Sequence, residues 1–387
     1  MERLQLALVG CGGMSGAHVR GLEALWQAGI RDIQVVACCD VVEESARQRA
    51  QEIARFQRRK PAVYTDVEQM LKRSRGIEAV DICALHSQHH LLAVACLAAG
   101  KHVIIEKPLA ITLRAGRQIL DAALDNRRIL AVAENYRRSP AERARQWAIA
   151  SGRIGKPRTF YWQDVGEGLG KWGWRNFKRD AGAGWILDGG VHFADLFRYH
   201  LGVEAQRVTA RFHGYEPYRY DDPAARSGGW PVDVEDCAMA LIDFAGDALV
   251  QWTWQGSAPG QGFNKRVLYG SEGCIDWDTG LWSRAGKQTR TETLVKEYKR
   301  KLPEDERERL FPGGVDDSIA VELQDFAAAV RGGRSVEVDG LDGYRSQAIC
   351  MAVFEASRLG RAVGMGEIER GEVEVYQGEI DRALGIG

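Results

Sequence analysis

The chain has 387 residues, 45% of them hydrophobic and 27% charged, with a formal net charge of −1. That length exceeds one ordinary core and predicts two domains of unequal size, while no apolar run approaches the roughly 20 residues a membrane span needs. A near-neutral chain without a local basic patch offers nothing to nucleic acid or to an anionic membrane. The eight cysteines stand mostly in apolar stretches with no C-x-x-C spacing. They read as buried thiols in a reducing compartment. The first residues run directly into a strand-like segment without the zones of a signal peptide, so a cytoplasmic location is expected.

Through about residue 135, short apolar runs rich in β-branched residues alternate with helical stretches, as βαβ units around a parallel sheet do. Strands are predicted over 4–9, 33–39, 62–64, 79–83, 102–105 and 129–133, with helices over 16–28, 43–55, 90–99 and 113–125 between them. The pattern then changes. A helix over 141–150 is followed by long alternating aromatic segments, 159–165, 238–244 and 249–254, that read as a mostly antiparallel sheet. Helices are predicted over 190–200, 318–331 and 343–359; the charged stretch 296–309 reads as a solvated helix or loop, and 215–230 as a loop. The fold class is therefore α/β. A Rossmann-type, doubly wound parallel sheet occupies 1–136, and an α+β domain with a large open, mostly antiparallel sheet occupies 137–387.

Gly10-Cys11-Gly12-Gly13-Met14-Ser15-Gly16 follows the first strand and opens a helix, the context in which a glycine pattern binds a dinucleotide. Gly10 allows the tight turn, and Gly12 lets backbone N–H groups approach a pyrophosphate whose charge the helix N-terminus favours. Ser15 stands at the third glycine position and is small enough for close helix–strand packing. Asp40 ends the second strand, where a carboxylate accepts from the ribose hydroxyls of NAD and repels the 2′-phosphate of NADP. NAD is thus favoured.

Glu106-Lys107-Pro108 follows the fifth strand, and ligands of open parallel sheets bind outside the carboxyl ends of the strands. Farther on, Asp188, His192 and Asp195 are spaced four and three apart, so that they share one face of a helix start. By themselves they fit either a cap with a buried hydrogen-bonded pair or a chemical site. No further ligands at suitable spacing accompany them and H-E-x-x-H is absent, so no metal is expected.

Together these pieces resemble the glucose-fructose oxidoreductase and inositol dehydrogenase family (Gfo/Idh/MocA) over nearly the whole chain. Ala99-Gly100-Lys101-His102-Val103-Ile104-Ile105-Glu106-Lys107-Pro108-Leu109 is similar to the family run A-G-K-H-V-x-x-E-K-P-L. Asn135-Tyr136-Arg137, Trp174-Arg175, the Asp188/His192/Asp195 motif, Gly270-Ser271-Glu272-Gly273 and the Asp342-Gly343 helix fall in family order. The resemblance implies a catalytic group of Lys107, Asp188 and His192. It implies cofactor contacts at Gly10, Gly12, Gly13, Met14, Asp40, Ala84, His86, His89, Glu106, Lys107, Asn135, Trp174 and Arg175. Substrate would be bound by Lys107, Arg137, Asp188, His192 and Asp195. Three departures stand out: Ala84-Leu85-His86-Ser87-Gln88-His89 replaces T-P-N-x-x-H, Ser15 replaces a glycine, and Ala183 interrupts a glycine triplet before Asp188.

The activity so implied is hydride transfer between nicotinamide and a ring carbinol or ketone of a sugar, sugar derivative or cyclitol. A base near neutral pKa for the hydroxyl proton suits His192. Two rival readings keep the fold: an NAD-retaining glycoside hydrolase that oxidises a ring carbon transiently, and a non-catalytic dinucleotide-sensing regulator. The aromatic-rich sheet of the second domain leaves apolar surface for another subunit, so a homo-oligomer, dimer or tetramer, is expected.

Overall fold

The computed structural model describes residues 2–387, and the chain divides into two compact units. The first comprises Met1–Ile111, Ala115–Ser139 and Leu302–Tyr344; the second comprises Thr112–Arg114, Pro140–Lys301 and Arg345–Gly387.

The first unit begins with β1 (Leu4–Val9), α1 (Gly13–Gln27), β2 (Ile33–Cys39), α2 (Glu43–Gln57), β3 (Ala62–Tyr64), α3 (Val67–Arg73) and β4 (Ala79–Ile82). It continues with α4 (His86–Ala98), β5 (His102–Glu106), most of α5 (Leu113–Asp125) and β6 (Leu130–Ala133). The six strands form one parallel sheet in the order β3-β2-β1-β4-β5-β6, the doubly wound order that reverses at β1. Strands buried on both faces read as continuous apolar runs, which is why their limits were legible. Helix starts were less so. α1 begins at Gly13 and α4 at His86, each several residues before the expected start, because His86-Ser87-Gln88-His89 and the glycine loop carry no apolar stripe.

The second unit begins with α6 (Pro140–Ala150), β7 (Pro157–Val165), α7 (Lys178–Ala181), α8 (Trp185–Asp188), α9 (Gly190–Leu201) and β8 (Ala205–His213). The stretch read as a loop holds two short paired strands, β9 (Tyr218–Arg219) and β10 (Trp230–Pro231). Next come β11 (Cys237–Phe244), β12 (Leu249–Gln255), β13 (Phe263–Gly270), β14 (Gly273–Asp276), β15 (Gly280–Ser283), β16 (Gln288–Thr289) and α10 (Thr291–Lys301). The sheet runs β16-β15-β14-β13-β7-β12-β11-β8-β17, with β17 at Val363–Gly364; β7 and β12 are parallel and the other pairs antiparallel. Phe160 and Trp162 of β7 pack edge-on against Phe197 of α9, so one sheet face is the core. The other face presents Tyr161, Met239, Leu241 and Tyr269.

After α10, the chain returns to the first unit. α11 (Glu304–Leu310) and α12 (Ser318–Gly332) belong there, which differs from a division at 136/137. The reason is burial: Leu323, Phe326 and Ala327 join Leu4, Leu6, Val19 and Leu22 in one core. Each large side chain so buried contributes about 1.5–3 kcal/mol. α13 (Gly340–Leu359) begins in the first unit, at Gly340 and not Gly343, and its greater part belongs to the second.

Candidate active site

In the first unit the glycine loop is built from backbone constraints. Gly10 has φ +83°, and a Cβ there would lie 2.5 Å from the Cys83 carbonyl oxygen, so only glycine fits. Nothing lies within 4 Å of where a Cβ of Gly12 or Gly13 would stand, and the first N–H groups of α1 face this open cradle. Ser15 earns its place by bonding: its Oγ donates to the Gly12 carbonyl at 2.7 Å and accepts from Arg49 Nε at 3.1 Å. Asp40 accepts from Cys11 N at 2.6 Å through Oδ2 and from Val42 N at 2.8 Å through Oδ1, holding a carboxylate beside the glycine turn. Backbone donors, an open cradle and a carboxylate at the strand end fit a dinucleotide's pyrophosphate and ribose.

The turn after β5 rests on a buried ion network. Glu106 accepts from the Lys107 backbone N–H at 3.1 Å through Oε2, and its Oε1 lies 2.9 Å from His18 Nε2. The other ring nitrogen of His18 lies 2.8 Å from Asp81 Oδ2. Burial opposes charge on His18, but Asp81 and its neighbours overcome it and hold the imidazole well above its ordinary pKa. With carboxylates on both nitrogens, His18 is an imidazolium that ties α1, β4 and β5 together. His18, Asp81 and Cys83 also place metal-ligand atom types within 4.8 Å of one another, but the ring nitrogens of His18 are committed to carboxylates. Glu322 of α12 is 1% exposed and both carboxyl oxygens lack hydrogen-bond partners among the described residues. Burial pushes it well above the usual carboxyl range.

His89 braces the same region, with its ring nitrogens 2.8 Å from the Pro108 carbonyl and 3.2 Å from that of Ala84. Burial, helped by the neighbouring His86, pushes His89 down to about 4, so it is neutral at pH 7. His86 is itself buried, Ala84, Met14, Lys107 and Asn135 are half-buried, and the Lys107–Pro108 bond is cis. Arg137 is buried in the turn after β6.

In the second unit, Asp188 ends α8, and His192 and Asp195 lie on the first turns of α9, all buried. Arg175 Nε donates to Asp188 Oδ2 at 3.2 Å, and its guanidinium lies 4.3 Å from the Trp174 ring centroid, so the Trp174-Arg175 pair is stacked and aimed. Asp195 Oδ1 accepts from Ser346 Oγ at 3.2 Å, with Arg198 3.9 Å away. One residue that sequence reasoning missed is Glu235. Its Oε2 accepts from Gly184 N at 2.7 Å and its Oε1 from Ile186 N at 3.1 Å, so a carboxylate remote in sequence caps the short helix that ends in Asp188. A Cβ on Gly184 would lie 2.8 Å from the Glu235 carbonyl oxygen, which explains glycine there. Burial pushes Glu235 up to about 7. The His18 network was missed as well; the only signal was a histidine within the first turns after the glycine loop.

Residues 4–134 match the model of an oxidoreductase family with an NAD-binding Rossmann fold, GFO/IDH/MocA, and 142–276 match the GFO/IDH/MocA C-terminal domain. A 1,5-anhydro-D-fructose reductase of Ensifer adhaerens is 30% identical over 313 residues, covering 79% of this chain and 84% of that protein. The chain belongs to the GFO/IDH/MocA family. A levoglucosan dehydrogenase of Pseudarthrobacter phenanthrenivorans is 29% identical over 92% of this chain and 97% of its own length. A levoglucosan dehydrogenase structure in complex with NADH superposes with a TM-score of 0.76 at 26% identity, over 94% of this chain and 99% of that one. This GFO/IDH/MocA protein is accordingly an oxidoreductase, its cofactor is NAD, and its α/β fold is the one expected. Among the described residues no helix is long and apolar enough to cross a membrane.

Proposed function

We propose that this enzyme transfers a hydride between the nicotinamide and a ring carbinol or ketone of a sugar, sugar derivative or cyclitol, with Lys107, Asp188 and His192 as its catalytic group. The observation that carries the reading is the ion pair of buried Asp188 with half-buried Arg175, just before the helix that bears His192, in a chain whose relatives are sugar and cyclitol dehydrogenases and reductases.

The open cradle at Gly12 and Gly13, with Met14 at its edge, receives the pyrophosphate, and Asp40 receives the ribose hydroxyls. Bound NAD supplies the hydride acceptor or donor. Lys107, whose backbone N–H is fixed by Glu106, binds the reacting oxygen and stabilises developing alkoxide charge. His192 takes the hydroxyl proton in oxidation and returns it in reduction. Asp188, held by Arg175, orients the imidazole and stabilises its cation. Asp195 is already committed to Ser346 and 1% exposed, so we assign it to anchoring α9 and not to substrate hydroxyls. Arg137 and Asn135 stand at the end of β6, on the side where parallel sheets bind ligands.

The outer sheet face, with Tyr161, Met239, Leu241 and Tyr269 each at least 39% exposed, is the surface a second copy would cover. The deciding experiment is a screen of sugars and cyclitols for NADH formation with wild-type enzyme, Lys107→Ala and His192→Asn. Turnover by the wild type that falls by at least a hundredfold in both variants is expected. Wild-type rates in Lys107→Ala would overturn the assignment.

A further inference from the structure

The second unit contains a cavity of about 560 Å³ at the ends of β7 and β12, lined among others by Trp172, Trp185 and Trp254. Trp185 and Trp254 lie stacked, with ring centroids 5.1 Å apart and planes 6° from parallel. Trp172 is 43% exposed, and its backbone N–H is pinned by Asn176 Oδ1 at 2.7 Å. Asn176 is itself buried and lines the cavity, with its amide nitrogen left to donate. Flat aromatic walls with a few fixed polar groups suit the C–H faces and hydroxyls of a sugar ring. The volume lies within the roughly 300–1,000 Å³ of sites for drug-sized ligands, more room than one pyranose fills.

Charge narrows the ligand further. The lining carries three carboxylates, Asp164, Glu167 and Glu235, against three cations, Lys171, Arg175 and Arg219. Every cation is already paired: Lys171 with Asp221 at 2.9 Å, Arg175 with Asp188 at 3.2 Å, Arg219 with Asp236 at 3.7 Å. A phosphate or carboxylate on the ligand would find no uncompensated cation. The carboxylates are held as well, Asp164 by Arg266 and Glu235 by the Gly184 and Ile186 N–H groups, with Glu167 3.9 Å from Arg226, so the lining offers an anion no free positive charge. Arg175 both lines the cavity and holds Asp188, so the cavity is contiguous with the residue proposed to orient the base.

We infer that this cavity is a second carbohydrate subsite that takes the non-reacting ring of a neutral glycoside or disaccharide, in preference to a sugar phosphate, nucleotide sugar or sugar acid. The inference rests on the proposed hydride transfer at Asp188 and His192. Trp172 stacks on the second ring, Asn176 donates to one of its hydroxyls, and the ring undergoing oxidation or reduction lies beyond Arg175.

The test compares kcat/KM for glucose, methyl glucosides, cellobiose, maltose, glucose 6-phosphate and UDP-glucose with NAD, in wild type, Trp172→Ala and Trp172→Phe. A neutral disaccharide or glycoside should exceed its parent monosaccharide at least tenfold, and the phosphorylated sugars should fall below it. Trp172→Ala should raise KM for the larger substrate about tenfold and collapse that preference, and Trp172→Phe should restore most of it. Equal kcat/KM for monosaccharide and glycosides, a preference for the charged sugars, or a preference untouched by Trp172→Ala would overturn the subsite. If nothing gives NADH, the hydride reading fails alone, and calorimetry of cellobiose and maltose with the NADH-loaded protein decides the subsite: binding weakened in Trp172→Ala supports it, and no binding to wild type overturns it.

Discussion

The glycine loop of the first unit and the helix start around Asp188 in the second meet ligands in opposite ways. At Gly10 to Met14 the ligand-facing groups are main-chain N–H donors, and the side chains that matter, Ser15, Arg49 and Asp40, bond back onto the loop itself. Around Asp188 the functional groups are side chains, and they are held by others from remote segments: Arg175 on Asp188, Glu235 on Gly184 and Ile186, Ser346 on Asp195. A backbone cradle tolerates variation in side chains but not in φ. A side-chain site tolerates neither a lost partner nor a changed charge.

The largest effect should come from the reacting groups. Lys107→Ala is expected to lower kcat/KM by about 10³-fold, within the range for loss of a proton-transferring or charge-stabilising group. Thermal melting should stay near wild type, and a variant inactive only because it is unfolded would remove the evidence for its role.

Gly10→Ala tests the backbone region. Positive φ together with a Cβ 2.5 Å from a carbonyl oxygen should cost about 3 kcal/mol in urea denaturation. A cost below about 0.5 kcal/mol would mean that the turn relaxes and that the cradle is not rigid.

Glu235→Gln probes the remote support of Asp188. Glu235 ionises near 7 in the folded protein against an ordinary 4.5, because burial penalises the carboxylate. A raised folded pKa means that its contribution to stability is fully present below about 4.5 and is lost as pH climbs through about 7. Activity should run the other way, since only the carboxylate accepts from both N–H groups: kcat should rise through about pH 7 in wild type. In Glu235→Gln the profile near pH 7 should differ from that of wild type, with kcat about tenfold lower, roughly 1.4 kcal/mol. The pH profile separates positioning from simple loss of fold. An unchanged profile would remove Glu235 from the site.

Asp40→Ser should give the smallest effect, a shift of about tenfold in the NAD to NADP preference measured as kcat/KM. No shift would place nucleotide choice elsewhere in the loop, for example at Arg49.

By itself the sequence determined the parallel sheet, the glycine turn, and the strand-end position of Asp40 and of Glu106-Lys107-Pro108. These follow from periodicity and backbone conformation within a dozen or so residues, which the local order of residues encodes. Tertiary structure alone decided that Leu302–Tyr344 belongs to the first unit, that His18 bridges Asp81 and Glu106, 63 and 88 residues away, and that Glu235 caps a turn 51 residues before it. Burial and partner choice set the charge of His18, His89 and Glu235. Both depend on which distant segments exclude water from a side chain, and no local pattern carries that.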